Sequence, residues 1–61
     1  MSYAFSLGEW VIDTRRETAP TILSIIDGYE PVYVLEAEDG SVYLSKESDL
    51  IEYDKYYFER K

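Results

Sequence analysis

Apolar and polar residues alternate in short runs along most of this chain, a period of two that builds half-buried strands. The first run is Tyr3, Phe5 and Leu7, ahead of Gly8. It reads either as an edge strand or as a lead-in that packs across one end of the fold. Glu9-Trp10-Val11-Ile12-Asp13-Thr14 is rich in β formers and predicts the next strand. Its favoured phase turns Trp10 and Ile12 inward, because the opposite phase would bury Asp13. The polar stretch from Thr14 to Thr18 holds the basic pair Arg15 and Arg16 and predicts an exposed loop.

Pro20 lacks an amide donor and belongs at a strand start or edge, so Thr21 to Ile26 is the following strand, closed by the turn dipeptide Asp27-Gly28. Pro31 to Ala37 predicts another, with Tyr33, Leu35 and Ala37 on one face and Val32, Val34 and Glu36 on the other. Asp39-Gly40 between two β-rich runs predicts a two-residue hairpin turn, with positive φ at both central residues. Val42-Tyr43-Leu44 returns, and with Val42 and Leu44 inward Tyr43 faces solvent.

Ser45 to Asp49 is polar and suits one 3₁₀ turn capped by Ser45, before Leu50 to Tyr53 resumes strand character. The competing reading makes residues 45–61 a helix on a three-stranded sheet. The weak helix formers Tyr53, Tyr56, Tyr57 and Phe58 argue against it, as does the lack of an apolar stripe at spacing three and four.

Composition narrows how such a chain is held together. Sixty-one residues allow one domain (1–61), and chains near this length bury only about 60% of their unfolded surface. Cysteine and histidine are both absent, which removes disulfides, the usual zinc sites, and thiol or imidazole catalysis. Ten aromatic residues, seven of them tyrosine, supply the alternative, a small core of large side chains. The N-terminus shows no basic segment followed by an apolar run, and no stretch approaches a bilayer span, so the expected location is cytoplasmic.

The net charge of −7 is unevenly placed. Residues 27–54 hold nine acids against one base, Lys46, whereas the last seven residues carry net positive charge. A field of this sign repels phosphate and anionic membrane surfaces, and it complements a basic protein surface. It also keeps a small protein soluble and apart from its copies.

The order of features resembles the SH3-like small β-barrels, the broad group that includes KOW, Tudor-like and many short phage or prophage proteins. Gly8 precedes Trp10-Val11-Ile12, and a polar loop leads to a strand with Ile22 and Ile25. Tyr33-x-Leu35-x-Ala37 runs into Glu38-Asp39-Gly40, and Val42-Tyr43-Leu44 precedes a polar turn and Asp49-Leu50-Ile51. The resemblance covers residues 7–53, with residues 54–61 as a charged aromatic tail. It implies an all-β fold, five short antiparallel strands closing a barrel with a single 3₁₀ turn before the last. It implies no one activity, because this architecture hosts many. The basic loops of nucleic-acid-binding KOW domains and the aromatic-acidic and Tyr-Pro signatures of proline-peptide SH3 domains are missing.

Chemistry beyond binding finds little support in the sequence. Glu36 with Glu38, and Glu52 with Asp54, are paired carboxylates, but a calcium loop needs about five oxygen ligands over 12 residues around a glycine, and that pattern is missing. The three glycines are isolated turn residues and form no phosphate loop. The expectation is a non-enzymatic domain without cofactor or metal that binds a protein with a basic surface, such as an accessory or inhibitory protein of a mobile element. The alternatives are a nucleic-acid-associated KOW- or Tudor-like module and a purely structural domain. Tyrosines beside acids are the candidate partner-binding residues: Tyr29, Glu30, Tyr43, Glu52, Tyr53, Tyr56 and Tyr57. The expected state is a monomer or a weak homodimer. If residues 1–7 form an exposed edge, salt favours the dimer by screening the acids.

The charge distribution predicts that a gel-shift titration at low salt shows no complex with any oligonucleotide. Submicromolar binding would mean that a local basic patch overrides the acidic field.

Overall fold

The computed structural model describes residues 3–54. Five strands occur in this span: β1 (Val11–Asp13), β2 (Thr21–Ile26), β3 (Val32–Glu36), β4 (Val42–Lys46) and β5 (Leu50–Glu52). A 3₁₀ turn, Glu47–Asp49, separates β4 from β5. One antiparallel sheet has the order β2-β3-β4, and the other pairs β1 with β5. The chain is therefore all-β over its described residues. Residues 45–52 are strand and 3₁₀ turn, which excludes a continuous helix there; only Tyr53 and Asp54 are helical, and the rest of that expectation lies outside the described residues. Ser45 lies within β4 and does not cap the 3₁₀ turn, which has no side-chain cap.

Backbone bonds join the sheets on one side. The amides of Gly8, Val11 and Asp13 donate to the carbonyls of Ile22, Pro20 and Thr18, at 2.7, 3.1 and 2.8 Å, and the Ile22 amide returns a bond to Glu9. The loop between β1 and β2 closes with Glu17 at φ +54°, a left-handed value that is uncommon outside glycine. On the other side the sheets are not closed into a barrel by strand pairing among the described residues, because β4 pairs only with β3. The hydroxyls of Thr18 and Tyr43 span that gap at 3.1 Å, while the Thr14 amide and hydroxyl, both donating to the Asp49 carbonyl, continue the β1–β5 ladder.

Two insertions set the faces. Leu23 is an extra residue between the pairs Ile22↔Leu35 and Ser24↔Val34, a β-bulge that lets Ile22 and Ile25, three apart, both meet the core. At the β3–β4 hairpin the Gly40 amide bonds the Ala37 carbonyl and the Ala37 amide bonds the Ser41 carbonyl, with Gly40 at φ +88°. This is a three-residue loop with glycine in the left-handed position, not the expected two-residue turn. The added residue pairs Leu35 with Tyr43 and Val34 with Leu44. Directly paired residues share a face, so Tyr43 turns to the core while Val42 and Leu44 are 57% and 59% exposed. The sequence-based expectation for β4 is thus reversed.

The core comprises Phe5, Val11, Ile22, Tyr33, Leu35 and Leu50, with Tyr3, Ile25 and Tyr43 packed against it. Residues 3–7 form no strand. Phe5 meets the Tyr33 ring edge-on at 5.6 Å and 73°, so this segment closes the chain's own core, and of its three large apolar side chains only Leu7 is exposed. Glu47 holds the lid in place, because its Oε2 accepts from the Ala4 amide at 3.1 Å and from the Tyr33 hydroxyl at 2.6 Å.

Burial, followed by that bond to Glu47, pushes the Tyr33 hydroxyl from 10.0 up to about 12. Above the ordinary value the unfolded chain releases its proton while the folded chain keeps it. The resulting stability is complete below pH 10 and is lost as pH rises toward 12, by about 2 kcal/mol. Chemical denaturation at a series of alkaline pH values should show this loss. Tyr33→Phe should be less stable at neutral pH by about 1–3 kcal/mol and should lose that part of the alkaline slope.

Candidate interaction surfaces

Trp10 lies where four strands bring their outer faces into one row. It bridges Thr21, which pairs with Glu36, which pairs in turn with Val42, and on its other side its ring packs on Tyr53 at 5.5 Å with a 54° tilt. Val11 and Asp13 take the core face of β1, so Trp10 is turned outward and 58% exposed. The inward phase expected for Trp10 is corrected here. Burying Asp13 is acceptable because its Oδ1 accepts the amides of Arg15 at 3.0 Å and Arg16 at 3.3 Å, which turn the loop back over it.

Two shallow depressions flank the Trp10 ring. Glu9, Glu52, Tyr53 and Asp54 line one of about 230 Å³, and Ala19, Thr21, Glu36, Ala37 and Glu38 line another of about 260 Å³. Both are smaller than the roughly 300–1,000 Å³ of small-molecule sites, and they suit single side chains of a partner. Five acids thus surround one exposed indole. An indole face attracts cations, and nearby carboxylates strengthen the preference for Lys or Arg.

The candidate residues from the sequence do not form one site. Glu52 and Tyr53 join Trp10. Tyr29 is fully exposed in the β2–β3 connection, away from any described depression. Glu30 accepts the Ser48 amide at 3.0 Å, and its bonding with Ser48 holds its carboxyl below the usual range. Tyr43 is half-buried, and burial raises its hydroxyl above the ordinary value. Tyr56 and Tyr57 lie outside the described residues. Trp10, like Tyr43, is a residue that pattern reading misplaced, and the cue was apolar Val11 taking the core face.

A third depression, of about 230 Å³, lies between the β1–β2 loop and β4. Arg15, Arg16 and Lys46, the three basic residues of the described span, all line it, together with Asp13 and Asp49. The Arg16 guanidinium sits 4.0 Å over the Tyr43 ring, and Arg15 approaches Asp49 at 3.9 Å. Arg15 is 74% exposed, so that pair contributes little to stability. Among the described residues no group of three metal-ligating side chains occurs, and no helix is long and apolar enough to cross a membrane. Comparison with protein-family models, curated proteins and solved structures finds no match.

Asp13 and Arg16 differ in what they do at this depression. Asp13→Ala should destabilise by about 1–2 kcal/mol, since two part-buried amides lose their acceptor. Arg16→Ala should cost under about 1 kcal/mol. Thermal denaturation of the two variants separates a scaffold residue from a surface cation.

Proposed function

We propose that this chain is a non-catalytic protein-binding domain that takes a basic side chain or basic segment of its partner on the Trp10 surface. The observation that carries the reading is the exposed indole stacked on Tyr53 between two depressions lined by Glu9, Glu52 and Asp54 and by Glu36 and Glu38. Tryptophan is among the residues that most often dominate binding energy when a partner desolvates them. The acids would speed encounter with a positive surface and reject a negative one. The scaffold is read as SH3-like from its strand order, with β1 hydrogen-bonded to both β5 and the start of β2, and with the 3₁₀ turn between β4 and β5. That reading rests on topology alone.

Calorimetric titration with an extended peptide rich in Lys and Arg tests the proposal. Binding should weaken with salt, and an acidic peptide of the same length should not bind. Trp10→Ala should weaken binding at least about tenfold, which is about 1.4 kcal/mol, while Tyr29→Ala leaves it unchanged. Equal affinity in Trp10→Ala and the unaltered chain would remove the surface from consideration.

A further inference from the structure

The outer edge of β4 is where the two sheets fail to close. In β3–β4 the pairs Ala37↔Ser41 and Pro31↔Glu47 carry backbone hydrogen bonds, so the alternation of an antiparallel ladder turns the amides and carbonyls of Tyr43 and Ser45 toward β3. Those of Val42, Leu44 and Lys46 then point away from β3. No backbone hydrogen bond reaches them among the described residues. Side chains at the same positions leave the edge attractive, since Val42 and Leu44 are more than half exposed and stand beside half-buried Val32 and Val34 on the outer face.

We propose that this edge pairs with itself: β4 of one copy adds antiparallel to β4 of a second, about a two-fold axis through Leu44. The register is self-consistent. Leu44 meets Leu44 of the second copy, and Val42 meets Lys46, so the outward-facing groups of all three positions find partners, about six backbone bonds in all. Shifting by one residue would set outward groups against inward ones and is excluded. On the outer face, Lys46 of each copy lands beside Val42 of the other, whose β3 neighbour is Glu36. Two strand spacings, about 10 Å, separate Lys46 from that Glu36, within the combined reach of the two side chains.

Charge selects the same edge. A chain of net charge −7 repels its copy, and all three bases of the described residues lie around the depression beside β4. The occupant is therefore a second copy of this chain. The interface is small, below the size of a stable permanent dimer, so association falls in the micromolar to millimolar range.

Sedimentation across that concentration range, with amide hydrogen exchange at both ends of it, tests the pairing. A dimer should appear with concentration, and the amides of Val42, Leu44 and Lys46 should gain protection while those of Tyr43 and Ser45 do not change. Leu44→Lys should stay monomeric with its circular dichroism intact, because it opposes two charges at the axis. Should that variant misfold, Lys46→Glu should weaken the dimer and Glu36→Lys in the same chain should restore it. A chain monomeric at millimolar concentration overturns the proposal. So does a dimer that leaves the three amides unprotected, or binding of an acidic peptide at those amides without self-association.

Discussion

One residue in the β3–β4 loop determines what the rest of this molecule can be. With Glu38, Asp39 and Gly40 all in the loop, Tyr43 faces Leu35 across the ladder and enters the core. A loop one residue shorter would place Leu44 there instead, and Tyr43 would stand outside beside Glu36. The left-handed φ at Gly40 permits the longer loop, and Asp39 supports it by accepting the Ser41 amide at 2.9 Å. The core needs the tyrosine. Its hydroxyl meets Thr18 and its ring supports Arg16, so the β1–β2 loop is anchored to β4 across a gap that no strand pairing among the described residues closes. The exposed leucine is the counterpart of that choice.

The same hairpin leaves polar groups to be satisfied at the other end of the core, and Glu47 does this. The N-terminal segment closes one end of the core, with Phe5 buried against Tyr33 and Tyr3 half-buried beside it. A lid held by apolar contact alone would slide. Glu47 fixes it to the 3₁₀ turn through Ala4 and to β3 through Tyr33, while its own amide bonds the Pro31 carbonyl. Two hydrogen bonds to one carboxyl group, from a backbone amide and a tyrosine hydroxyl, therefore tie the N-terminal segment to the core in a chain without disulfides.

Strands were legible in the sequence because they rest on β-branched and aromatic runs, and the Thr21–Ile26 span is read without error. Faces were less legible. A period of two assumes an unbroken ladder, and both β2 and the β3–β4 loop carry one extra residue that shifts the count. Trp10 was misplaced for a different reason. Polarity argued for keeping Asp13 outside, but an aspartate two and three residues ahead of amides that must turn can be buried as their acceptor. Of the tyrosine-and-acid candidates among the described residues, Glu52 and Tyr53 alone reach the indole, since neighbours in the tertiary structure come from strand register and not from sequence proximity.

The Trp10 surface and the β4 edge are linked through Glu36. It lines one of the depressions beside the indole, and it is also the acid nearest Lys46 of a second copy in the proposed pairing. A lysine placed there neutralises part of the field that would draw a basic partner to Trp10. The two proposed events would therefore oppose each other, and by reciprocity a partner that occupied Glu36 would weaken self-pairing by the same factor. The other four acids around Trp10, namely Glu9, Glu38, Glu52 and Asp54, stay available in either state. Pairing would thus attenuate partner binding and not abolish it, giving the chain a concentration-dependent affinity without any change of fold.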